Sequence, residues 1–133
     1  MASSPIWTGT PKCAGAVVAS VANTVFTGGA LTTSSFVTVL TGGTSGSKVQ
    51  EIVIQGTGTT LSGVLDLFLY NGSTYYRFDQ FYIPANTAST TANAYRASKT
   101  YQNLILADNT WSIVAASQIA NQLANVMAFY GNF

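Results

Sequence analysis

The stretch Gly63 to Pro84, GVLDLFLYNGSTYYRFDQFYIP, carries the clearest alternation in the chain. Leu65, Leu67 and Leu69 share one phase of a period-2 pattern, and Asp66, Phe68 and Tyr70 share the other. Asn71-Gly72 supplies two residues that tolerate positive φ, as a hairpin turn requires. Tyr75 to Ile83 then places aromatics on both phases: Tyr76, Phe78 and Tyr82 on one, Tyr75 and Phe81 on the other. Strict alternation assigns one of these sets to the core and leaves the other for burial on assembly. A strand that is apolar on both faces implies a cover for the second face.

Shorter alternating or apolar runs flank this hairpin. Strands are expected at Ala16–Ala22, Phe36–Thr41, Lys48–Gln55, Ala94–Ser98, Leu104–Leu106, Trp111–Ala116 and Leu123–Tyr130, with a further short one at Val25-Phe26. Glycine-rich turns at 42–46 and 56–62 and a polar loop at 85–93 separate them. A 3.6-residue apolar period is visible only weakly, over Ile119–Met127, where a helix competes with the strand. About eight strands at this spacing predict an all-β fold, an antiparallel β-sandwich or jelly roll. Pro5, Gly9 and Pro11 make the start of the chain an extended arm, so residues 1–15 are expected as an arm and 16–133 as one sandwich domain. Ile6 and Trp7 sit in that arm, docked on the chain's own core or on a neighbouring subunit.

Charge sharpens the picture. Only 7% of the 133 residues are charged, the net charge is +1, and Lys12, Lys48, Arg77, Arg96 and Lys99 are scattered singly. No basic stripe is present for phosphate contacts, so nucleic-acid binding is disfavoured. With 47% hydrophobic residues the chain suits a packed fold rather than disorder. A soluble monomer usually carries more charge, so a surface built from Thr, Ser, Asn and Gly suits life within an assembly. The longest weakly polar run, Cys13 to Ala22, is too short to cross a membrane. It mimics a secretory signal, with Lys12 before it and Ser20-Val21-Ala22 in place of a cleavage site, but it is rich in Ala and Gly rather than Leu. It therefore reads as a strand, and no signal peptide or membrane segment is expected.

Candidate chemistry is sparse. The chain has no His, which removes the commonest general base and neutral metal ligand. The single Cys13 has no His partner and is expected as a buried or incidental thiol. Asp66 and Asp79 each lie five residues from the Asn71–Thr74 loop and face one another in an unslipped register. Such a pair suits glycoside hydrolysis or Ca²⁺. Like charges directly opposite are costly, however, so a slipped register or a partner such as Arg77 is the simpler expectation. No catalytic residue, metal site or cofactor is therefore assigned. Exposed tyrosines also suit stacking on sugar rings, although aromatic strands more often form core or subunit interface.

Leu67-Phe68-Leu69-Tyr70-Asn71-Gly72, Arg77-Phe78-Asp79-Gln80, Ile83-Pro84, the Trp-led run Trp111 to Ala115 and the closing run Val126 to Phe133 together form a spaced pattern. That pattern, over roughly Lys48 to Phe133, resembles small β-sandwich structural proteins of tailed-bacteriophage virions, of the head decoration or cement type. The resemblance implies a non-enzymatic homo-oligomer, with a trimer favoured, on the capsid surface. Its partner would be the major capsid protein or another virion protein. The alternative is a tail or fibre component with glycan or receptor binding. A secreted adhesin or enzyme is a third reading. The expected contact residues are Ile6, Trp7, Tyr70, Tyr75, Tyr76, Phe81 and Tyr82.

Overall fold

The computed structural model describes residues 10–23 and 35–133. These form strands β1 (Thr10–Val17), β2 (Phe36–Thr41), β3 (Ser47–Gly56), β4 (Gly63–Tyr70), β5 (Tyr75–Ile83), β6 (Arg96–Leu106), β7 (Ser112–Ser117) and β8 (Ala124–Asn132). Two antiparallel four-stranded sheets result, in the orders β1-β8-β3-β6 and β2-β7-β4-β5. The pairings are nested: β4 with β5, β3 with β6, β2 with β7, β1 with β8. The chain is thus one long ribbon doubled back at the β4–β5 turn. Rolling the ribbon joins β8 to β3 and β7 to β4, which is the jelly-roll arrangement.

The turn at the ribbon's tip follows from its sequence. Asn71 Oδ1 accepts the Ser73 and Thr74 backbone N–H groups at 3.0 and 2.8 Å, and Gly72 takes φ of 97°. Between the sheets lies the core. Ile52, Ile54, Val126 and Ala128 come from one sheet, and Leu65, Leu67, Phe81 and Ile113 from the other. β7 is buried along its whole length, with Ala115 and Ala116 keeping the crowded centre of its sheet thin.

Most of the expected strands occur, β2 and the central hairpin with the expected bounds. The runs expected at Ala94–Ser98 and Leu104–Leu106 are one strand, β6. The connection 118–123 between β7 and β8 is a turn, with Asn121 at φ of 61°, and β8 follows it as a strand rather than a helix. The first strand departs from expectation: it runs from Thr10 to Val17 rather than from Ala16 to Ala22. Its ladder with β8 decides the matter. Small residues at Ala14 and Ala16 pack against Ala128 and Val126, and Val18 N–H closes the ladder on Ala124 O at 2.9 Å. Pro11 is tolerated because β1 is an edge strand. Cys13 on this strand is exposed, not buried. The expected strand at Val25-Phe26 and the arm residues Ile6 and Trp7 lie outside the described residues.

Candidate interaction face

The outer face of the β2-β7-β4-β5 sheet is the place to look for function, because it is built like a second core. Register sets Phe68 beside Val114 on β7 and Arg77 on β5, and Val114 beside Thr38 on β2. Leu65 and Leu67 point inward, so Phe68, Val114 and Ala116 point outward, yet all three are fully buried. Phe36, Tyr70 and Tyr75 pack over them. The Tyr75 ring stands edge-on to Phe68 and Phe36, with centroids 6.3 and 5.4 Å apart, and stacks on Tyr70 at 4.2 Å. Burial, then the neighbouring Tyr70 hydroxyl, push the Tyr75 phenol above its ordinary value. Tyr70 O–H is spent on the Gly72 carbonyl at 2.9 Å.

Next to this aromatic patch is a polar one. Asp66 is 0% exposed. Gln80 and Gln118 each donate an amide N–H to it, at 2.7 and 2.9 Å, and Arg77 Nη1 lies 3.8 Å away. A buried carboxylate needs such partners to offset its lost hydration. The tyrosine beyond it, Tyr82, is 60% exposed and shares a hydrogen bond with Ser62 at 2.7 Å.

The sheet's open edge holds a bulge that sequence alternation did not reveal. Leu67 pairs with Asp79 and Phe68 with Arg77, so Phe78 is an extra residue. The bulge flips the phase of β5. Asp79 lies on the Leu67 side and Asp66 on the Phe68 side, so the two carboxylates are on opposite faces and form no pair. The sets Tyr76/Phe78/Tyr82 and Tyr75/Phe81 are likewise split rather than one inside and one outside. Phe81 is core, at 4% exposure, and its ring meets Lys99 Nζ at 4.6 Å, so it is not available as a contact residue. Phe78 packs on the core beside Tyr101, Tyr75 covers the outer cluster, and Tyr76 leans on Trp111 with half its surface in water.

Asp79 instead fastens the two sheets together. Its Oδ1 accepts Lys99 Nζ and the Gln80 N–H, both at 2.8 Å, and its Oδ2 accepts Tyr101 O–H at 2.6 Å. Lys99 also donates to the Gln80 carbonyl at 2.8 Å. Lys99 and Tyr101 share a phase on β6, in the opposite sheet, which was the one sequence signal for this cluster. An open depression of about 400 Å³ lies over Arg77, Phe78, Asp79 and Gln80.

Burial alone would raise the Asp79 carboxyl. The hydrogen bonds from Lys99, Tyr101 and Gln80 outweigh it and hold the group below its ordinary 3.8. Burial, then the bond to Asp79, push the Tyr101 phenol well above its ordinary 10.0. The signs are opposite. The Asp79 contribution to stability is present above the ordinary 3.8 and is lost as pH falls through the lowered value. The Tyr101 contribution is present below 10.0 and declines as pH rises beyond it, where the unfolded phenol ionises first. Tyr101→Phe is expected to cost about 1.5–3 kcal/mol at neutral pH, as for a hydrogen bond to a charged group. Urea titrations should also show that Asp79→Asn flattens the acid loss and Tyr101→Phe the alkaline one. Unchanged pH profiles in both variants would remove the clamp.

No protein-family model matches the chain, and a search of curated proteins gave no match.

Proposed function

We propose that the chain is a non-enzymatic structural protein of a tailed-phage virion, acting as a head decoration protein that stabilises the shell through oligomeric contacts. One observation carries this reading: a charge-poor surface that leaves large apolar side chains in water. Val17, Val21, Leu61, Leu123, Phe129 and Phe133 are all exposed, in a chain with only 7% charged residues. The pattern from Lys48 to Phe133 that resembles decoration proteins supports it as well. A jelly roll by itself does not, since the fold serves many functions.

The mechanism is burial. Each 100 Å² of apolar surface removed from water contributes about 2.5 kcal/mol before ordering costs. Copies repeated over a shell turn a weak contact into a strong one, because neighbours on the same particle raise the effective concentration. The test uses expanded capsids of the encoding phage that lack this protein. The purified chain is expected to co-sediment with them at a fixed stoichiometry and to raise the temperature at which the shells rupture. Protein left in the supernatant, with rupture unchanged, would reject the reading.

Tyr82 and Tyr76, at 60% and 50% exposure on β5, favour a second reading, a fibre-associated component that stacks aromatic rings on glycan. Specific glycan-array binding lost in Tyr82→Ala would select it over the first.

A further inference from the structure

Among the described residues, the β1 edge is the least protected of the four sheet edges. Val18 donates to Ala124 O, one step beyond the Val17–Asn125 pair, so the hydrogen-bonded pairs with β8 fall at even positions. Lys12, Ala14 and Ala16 therefore turn their backbone groups toward β8. Cys13, Gly15 and Val17 turn theirs to the open edge, and Pro11 contributes only a carbonyl there. All three are exposed, Val17 at 67%. Among the described residues β8 is the only strand paired with β1.

The other edges carry bulges or charges along their length, whereas on β1 Pro11 and Lys12 guard only its start. Register shifts interrupt β2 at Val39, β5 at Phe78, and the β3–β6 ladder between Val49 and Glu51. Arg77 projects from β5, Arg96 and Lys99 from β6, and Lys99 occupies the Gln80 carbonyl. Bulges and charges are the usual means of blocking edge-to-edge pairing. The β1 ladder is unbroken, and Cys13 to Val17 bears no charge.

We propose that β1 pairs antiparallel with β1 of a second copy of this chain, about a two-fold axis at Gly15. The two β1-β8-β3-β6 sheets then become one continuous sheet. Two points make a second copy the occupant. A two-fold antiparallel pair is self-complementary, so one strand supplies both donors and acceptors. The Gly15 register also uses the open-edge groups of all three residues Cys13, Gly15 and Val17: Gly15 faces Gly15 of the second copy, and Cys13 faces its Val17 in both directions. An axis at Cys13 would instead set Gly15 against Pro11, which has no N–H. Like charges stay apart, because Lys12 falls opposite Val18 of the second copy. Beside the seam Met127 lines the groove over Gly15, and its flexible side chain suits an adaptable contact. The pairing yields dimers and stands independently of the virion reading.

The register makes the test specific. Residues in a hydrogen-bonded antiparallel pair have Cα atoms about 5.5 Å apart, within disulfide range. Val17→Cys, oxidised at high micromolar concentration, is therefore expected to give a dimer cross-linked through Cys13 and the new thiol. The unmodified chain is not, because its two Cys13 residues are about 14 Å apart along the seam. Val17→Pro removes an open-edge donor and no bond to β8. It should leave the circular dichroism unchanged and weaken the dimer in sedimentation equilibrium about tenfold or more. A monomer at every concentration would overturn the proposal. So would a trimer with no cross-link in Val17→Cys, or ready cross-linking of the unmodified chain through Cys13 alone.

Discussion

Phe68→Ala is expected to lower the unfolding free energy by about 3–5 kcal/mol, the cost of a large cavity at a fully buried aromatic. The residue is unusual in its position rather than its burial. It lies on the outer face of its sheet, with Val114 and Ala116 beneath the same cover of Phe36, Tyr70 and Tyr75. Tyr75 loses one of its two edge-on partners in the variant, leaving Phe36 alone to support the 4.2 Å Tyr70–Tyr75 stack. Urea unfolding should show a lower midpoint with an unchanged slope. Phe68→Leu should recover most of the loss. A loss under about 1 kcal/mol in Phe68→Ala would mean that the outer cluster is loosely held, since surface substitutions cost little.

Asp66→Ala is expected to cost about 2–3 kcal/mol. The side chain is 0% exposed and accepts two amide N–H groups, from Gln80 and Gln118. Removing the acceptor strands both donors and the nearby Arg77. Gln80 and Arg77 reach water and recover part of that loss, so Gln118 on the connection after β7 bears most of it. Asp66→Asn should also destabilise, because its NH₂ group faces an amide donor at a position where a carboxylate oxygen accepted one. The measurement is the same urea titration. A neutral Asp66→Ala would place the carboxylate outside any buried network.

The regular features of the fold were legible where local chemistry sets them. Asn71-Gly72 and the alternation on either side fixed the hairpin because the turn's needs are local to those residues. Phe36–Thr41 was legible for the same reason, through β-branched alternation. Residues whose roles depend on distant partners were not. The bulge at Phe78 has no glycine or proline to announce it, and it puts Tyr75 and Phe81, which strict alternation groups on one face, on opposite faces. Asp66 and Asp79 are symmetric about the loop, but the cost of facing like charges made a slipped register or an Arg77 partner the simpler expectation, and both occur. The shift at Phe78 separates them and gives each its own partners. The first strand was misplaced because Ala and Gly mark neither phase, so only its ladder with β8 locates it.

The proposed function requires the exposed apolar surface of this jelly roll to be contact surface in a virus particle. An electron cryo-microscopy map of the particles made by the proposed source phage tests that claim most directly. Density for this sandwich is expected on the outer surface of the head, at repeated positions across capsomer junctions, with exposed residues such as Val17, Leu123 or Phe129 covered by neighbouring chains. Particles that contain no copy of the chain, or copies on the tail alone with those side chains in solvent, would contradict it.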